Sequence, residues 1–310
     1  MAALKDGRRY EILYDQKDGE YAPAEVGGIR TKTIRAGKAL EVECYPLIKA
    51  NLEADRERRK RKSSKAQEHL NLMNARKKVR RMLETNFTEK DISMTLTFDY
   101  GFIDRGNENM REMAEAFEKM DVPTDDQEAR KYIKNFLARV RRMMKRMGHD
   151  PKELKYLYVI ESTAEPRDED INALPMRYHY HLVISAPGLS RDDLESCWPH
   201  GYANADRLQM RDGLEALANY ITKQRRFFRR WAHSKNLKQP DIRVSDRKVS
   251  RRRAAMVAAD VEAYVREIFE KLYPGYVCTN DPVVRYSDFV AGAYIYARML
   301  KRPETGRKRE

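Results

Sequence analysis

Cysteine is scarce: three residues, Cys44, Cys197 and Cys278, occur in a chain of 310. They are odd in number, far apart and without CxxC spacing, which argues against a disulfide framework or a cysteine-built zinc site and fits a reducing cytoplasm. Long apolar runs are missing too. Met1 to Tyr10 carries Lys5, Arg8 and Arg9 but no hydrophobic signal core, and no later stretch reaches the length of a membrane span. The expectation is a protein neither exported nor embedded. There is also no GxxxxGK[ST] loop to cradle a nucleotide triphosphate, so the chain carries no P-loop motor of its own.

What is abundant is charge. Charged residues make up 35% and hydrophobic residues 41%, enough apolar material for a folded core under a heavily charged surface. Lys and Arg number 62 against 48 Asp and Glu, a net charge of +14 that makes a polyanion the first partner to consider.

The pattern divides into three stretches: a basic N-terminal extension over 1–90, a compact domain over 91–235 and a C-terminal extension over 236–310. From Thr31 to Tyr45, Leu40, Val42 and Cys44 alternate with Glu41, Glu43 and Tyr45, which predicts a hairpin turning at Ala36-Gly37. Leu47 to Leu83 has neither Pro nor Gly and reads as one or two long helices. Arg56, Arg58, Arg59, Lys60, Arg61 and Lys62 crowd within it, as a phosphate-gripping arm or a solvated helical face. Strands are expected over Ser93 to Phe98, Tyr156 to Glu161 and Tyr178 to Ser185. Amphipathic helices are expected over Gln127 to Met147, stopped by Gly148, over about Ser190 to Trp198, and over Leu208 to Trp231. Ser162 to Arg177 reads as a long polar loop, and Val249 to Leu272 and Tyr286 to Leu300 as further helices. The order strand, helix, strand, strand, helix implies an α+β sandwich.

Two clusters carry chemistry. In His179-Tyr180-His181 the side chains of a strand alternate, so both imidazoles face one side and can share a metal ion, while Tyr178, Tyr180, Leu182 and Ile184 face the other. Glu161 can add a carboxylate if its strand pairs with the histidine strand; Asp99 and Glu165 are fallback candidates. In Tyr220-Ile221-Thr222-Lys223, helical i,i+3 spacing sets a phenol beside an ammonium, next to an apolar stripe of Leu214, Leu217, Ile221 and Phe228. Directly after it, Arg225, Arg226, Phe227, Phe228, Arg229, Arg230 and Trp231 interleave cations with rings, as single-strand binders do.

Met94 to Phe98, Glu161, His179-Tyr180-His181 and Tyr220 with Lys223 together resemble the ordered motifs of the HUH endonucleases, which initiate rolling-circle replication. Trp198-Pro199-His200-Gly201, Lys32 to Gly37 and Asn86-Phe87-Thr88 resemble the members related to the filamentous-phage gene II initiator, found in phages, prophages and plasmids. The resemblance implies a ferredoxin-like or RNA-recognition-like antiparallel sheet with helices on one face. It implies a divalent cation, Mg²⁺ or Mn²⁺, held by His179, His181 and Glu161 against the scissile phosphate of single-stranded origin DNA. Tyr220 then attacks, Lys223 orients the phosphate, and a 5′-phosphotyrosine and a free 3′ hydroxyl result. Arg58, Arg59, Lys60, Arg61, Arg225, Arg226, Phe227, Arg229 and Arg230 grip the strand, and without a motor the chain depends on a host helicase and DNA polymerase in a bacterial cytoplasm. A relaxase or transposase of the same chemistry, or a basic nucleic-acid binder without catalysis, fits the same residues. Nicking of a transfer origin or transposon end identifies the first; binding without cutting in Mn²⁺ identifies the second.

Overall fold

The computed structural model describes residues 26–48, 65–99, 121–162, 177–209, 214, 217–219, 231–279, 282–287 and 290–302. Two compact units emerge, one of residues 76–238 and one of residues 1–75 with 239–310.

In the unit of residues 76–238 the strands β3 (Ile92–Phe98), β4 (Lys155–Ser162), β5 (Tyr178–Ser185), β6 (Gly201–Arg207) and β7 (Trp231–His233) form one antiparallel sheet. Across the sheet they stand in the order β6-β3-β5-β4-β7. Helix α2 (Asp126–Arg146) follows β3 and helix α3 (Arg191–Ser196) follows β5, so the first four strands and two helices run β-α-β-β-α-β, the split βαβ order. The α+β class expected from the strand and helix signals is therefore the one observed.

Local chemistry explains the elements. In β3 every second residue, Ile92, Met94, Leu96 and Phe98, is buried, and Ser93, Thr95 and Thr97 between them are partly open. Helix α2 starts where the Asp125 side chain accepts hydrogen bonds from the Gln127 and Glu128 amides, with acidic residues in its first turn and Lys145 and Arg146 in its last, as the helix dipole favours. Its Ala129, Ile133, Phe136, Leu137, Val140 and Met144 are buried, and Gly148 takes up φ +82° just past its end. They share one core with Leu96, Phe98, Tyr178, Tyr180, Leu182 and Trp198. Each of these large side chains contributes about 1.5–3 kcal/mol through burial. The two strand tyrosines stay satisfied inside it: the Tyr180 hydroxyl donates to the Ala129 carbonyl (2.8 Å) and the Tyr178 hydroxyl to Asp126 (3.1 Å). Ser190 and Asp193 form a reciprocal capping box at the start of α3.

Helix α1 (Lys65–Asn86) supplies Val79, Met82 and Leu83 as buried residues. At its end the Asn86 amide nitrogen donates to the Lys238 carbonyl (2.8 Å), and the Lys238 amide donates back to the Asn86 oxygen (2.7 Å).

The other unit is built on the hairpin of β1 (Val26–Ala36) and β2 (Ala39–Ile48), turning at Gly37 with φ +57°. Strands β8 (Asp241–Ser245), β9 (Tyr276–Cys278), β10 (Val283–Ser287) and β11 (Val290–Lys301) complete an antiparallel sheet, in the order β10-β11-β2-β1-β8 with β9 on β11. Helices α4 (Arg251–Ala259) and α5 (Val261–Val265), the latter running into a π-helical turn over Arg266–Glu270, bury Val257, Ile268 and Phe269 in the core of Val42, Cys44, Ile295 and Met299.

Three expectations need correction here. Tyr286 to Leu300 is not a helix: Ala293, Ile295, Ala297 and Met299 are buried at every second position, the last three paired with β2 and Ala293 with β10, so alternation outweighs the helix preference of Ala, Met and Leu. The C-terminal extension is therefore not purely helical. The helix expected over Leu208 to Trp231 falls mostly outside the described residues; residues 217–219 are helical as expected, but Leu208 is not, and Trp231 opens strand β7 against Val159. Long-range pairing, invisible in a local window, sets both outcomes.

Candidate metal centre

The histidine strand β5 lies between β3 and β4, and the register fixes what faces its imidazoles. Glu161 and Thr97 stand opposite His179; Val159 and Thr95 stand opposite His181. Directly paired residues of an antiparallel sheet project to the same face, so Glu161, His179 and His181 share the face opposite to Tyr178 and Tyr180. The Nε2 atoms of His179 and His181 lie 2.8 and 2.9 Å from one oxygen, Oε2, of Glu161. The two rings stand edge to face with centroids 4.9 Å apart.

The surroundings suit a cation. One donor atom from each of the three residues lies within 4.8 Å of the others, and among the described residues this is the cluster of His, Cys, Asp and Glu with that property. His181 is buried, and burial together with the neighbouring His179 lowers its pKa below the ordinary imidazole value in spite of Glu161, which favours the neutral, metal-binding form. Burial opposes ionisation of Glu161, but the two imidazoles, His179 foremost, outweigh it and hold the carboxyl below its usual pKa. The Thr95 hydroxyl sits 3.2 Å from Nδ1 of His181, a contact that orients the ring so that Nε2 faces Glu161. Thr95 was not singled out from the sequence, because only the β3–β5 register brings it to the ring. Two nitrogens and a carboxylate oxygen make a mixed donor set that accepts Mg²⁺, Mn²⁺ or Zn²⁺.

Residues 91–225 match the family model of the replication-associated protein ORF2/gene II protein.

No curated protein and no solved structure matches the chain. The span of similarity to the replication-associated family is less than half of the chain. It runs from just before β3 to beyond Lys223 and contains all three clustered side chains. Asp99, at the end of β3, is outside the cluster, and Glu165 lies outside the described residues. So do Tyr220, Lys223, Arg225, Arg226, Phe227, Arg229 and Arg230, and Arg58, Arg59, Lys60 and Arg61. Just before Tyr220, Leu214 and Ala218 are buried four residues apart and joined by an Ala218 amide to Leu214 carbonyl bond of 2.9 Å. No described helix is long and apolar enough to cross a membrane.

The span similar to that family also contains Trp198-Pro199-His200-Gly201, whose local role is visible. The Trp198 indole donates to the Thr97 carbonyl (3.0 Å) and the Asp99 amide to the His200 carbonyl (2.9 Å), tying the start of β6 to the end of β3. Gly201, at φ +146°, sits so close that a Cβ would run into the backbone of residues 97–99. Gly201→Ala is expected to cost at least ~2 kcal/mol, from the positive φ and the clash together. Its thermal midpoint should then fall by roughly 5 °C or more; an unchanged melting curve would show that β6 can move away freely.

Proposed function

We propose that the chain is a replication initiator that nicks single-stranded origin DNA, the reading carried by one observation: Glu161 converges with both strand histidines inside the segment similar to replication-associated proteins. His179, His181 and Glu161 hold a divalent cation, Mg²⁺ or Mn²⁺ given the hard phosphate oxygens of the substrate. When bound, such an ion neutralises charge on the scissile phosphate and on the departing 3′ oxygen.

Tyr220 is the nucleophile. Its phenol oxygen bonds to phosphorus as the bond to the 3′ oxygen breaks, leaving a 5′-phosphotyrosine and a 3′ hydroxyl that primes synthesis. The phosphotyrosine conserves the bond energy, so the reverse attack rejoins the strand. Lys223 orients the phosphate. Arg225, Arg226, Phe227, Arg229 and Arg230, with Arg58, Arg59, Lys60 and Arg61, hold the strand by phosphate pairing and base stacking. A host helicase and polymerase supply unwinding and extension.

The test is to incubate the full chain with single-stranded DNA spanning the region around its own gene, with Mn²⁺ or with EDTA, and to resolve the products on a denaturing gel. A nicked strand carrying covalently attached protein is expected in Mn²⁺ and absent in EDTA. Binding without any cutting in Mn²⁺ or Mg²⁺ would leave a nucleic-acid binder and defeat the nickase reading.

A further inference from the structure

The register of the sheet places two large aromatics on the face of the triad that the mechanism above does not use, Trp231 in the row of His181 and the far more exposed Tyr202 in the row of His179. Tyr202 on β6 pairs with Thr97, Thr97 pairs with His179, and His179 pairs with Glu161. These four side chains therefore form one row across the sheet, all on the face of the triad. Strands are spaced about 4.8 Å apart, so the Tyr202 backbone stands about 10 Å from that of His179, a distance an extended nucleic-acid strand covers in a nucleotide or two. Tyr202 is 78% exposed, while Tyr178 and Tyr180 on the opposite face are fully buried. Its exposure is held in place: the Trp198 and His200 bonds and the close approach at Gly201 fix the start of β6 against β3.

A single exposed tyrosine needs no explanation by itself. This one is distinguished by its row and by what surrounds it. Thr97 beside it and Thr95 and Asn204 in the next row are uncharged hydrogen-bonding groups, and the Asn204 amide donates (3.2 Å) to Asp206, the nearest carboxylate on β6 facing this way, whose own row is two away. Uncharged hydroxyls and an amide next to a bare ring suit a nucleobase, whose face stacks and whose edge accepts and donates.

We propose that Tyr202 is a stacking platform for a nucleobase of the single strand next to the scissile phosphate, which sets where along the strand the triad acts. The inference rests on the nicking reading only in taking single-stranded DNA as the ligand. The phenyl ring supplies the contact and the hydroxyl is dispensable.

The experiment uses the full chain in EDTA, where no cutting occurs, and a short single-stranded oligonucleotide with 2-aminopurine at every third position, whose fluorescence is quenched on stacking. Tyr202→Ala should bind about tenfold more weakly or worse and lose part of the quenching. Tyr202→Phe and Tyr202→Trp should restore both. Because the side chain is exposed, Tyr202→Ala should melt like the parent, which separates lost stacking from lost fold. Equal affinity and quenching in Tyr202→Ala would overturn the platform, as would a Tyr202→Phe variant as defective as Tyr202→Ala, since that assigns the role to the hydroxyl. A parent that binds and quenches through Tyr202 but never cuts in Mn²⁺ would defeat the nicking reading alone and support the platform.

Discussion

Tyr220→Phe is expected to abolish the covalent protein–DNA adduct and to lower strand cleavage by at least ~10³-fold, because it removes the oxygen proposed to attack and nothing else. Only a hydroxyl is lost, so folding and binding of uncut DNA should match the parent. Lys223→Ala should slow cleavage without abolishing it, since a cation that orients phosphate can be partly replaced by the ion and the neighbouring arginines. Incubation of parent and both variants with labelled single-stranded DNA and Mn²⁺, followed by a denaturing gel, separates the roles. An undiminished protein-linked band from Tyr220→Phe would move the assignment to another tyrosine.

Glu161→Ala is expected to weaken Mn²⁺ binding by more than ~100-fold, beyond the loss typical when only a group supporting a ligand is removed. The carboxylate is the one negative charge of the triad, and its Oε2 is the atom on which both imidazoles converge. Without it two neutral nitrogens remain, and a hard cation is held poorly by imidazole alone. In the parent, saturating Mn²⁺ should raise the thermal midpoint, as any ligand of the folded state does. Glu161→Ala should show no such rise, although its metal-free melt should stay close to the parent's because water can reach the partly open His179 edge. Mn²⁺ titrations that coincide for the two proteins would remove Glu161 from the ligand set.

The triad was legible in the sequence because each step rests on short-range geometry. Strand alternation alone sets His179 and His181 on one face, and pairing of β4 with β5 brings Glu161 opposite His179. The buried Tyr178 and Tyr180 follow from the same alternation. Thr95 and Tyr202 were not legible as neighbours of the site, since both depend on the pairing of β3 with β5 and β6 across gaps of some 80 to 110 positions. The same reason explains strand β11, whose Ala, Met and Leu content favours a helix until β2 offers its edge. Gly201 could have been flagged as a turn residue, but its close approach to residues 97–99 appears only once β6 is laid beside β3.

The reciprocal hydrogen bonds between Asn86 and Lys238 bear on how the polypeptide matures as it leaves the ribosome. One unit is interrupted in sequence by the other, and the clasp ties the last turn of α1 to Lys238, the final residue of the inserted unit. Strand β2 waits for β11, some 250 residues downstream, whereas every strand pair around the triad is available once His233 has been made. Synthesis proceeds at about 5–20 residues per second and domains tend to fold as they emerge. The inserted unit therefore has several seconds to form before its host sheet can close, and the nascent β1–β2 hairpin spends that interval with the β2 edge that β11 will occupy unfilled.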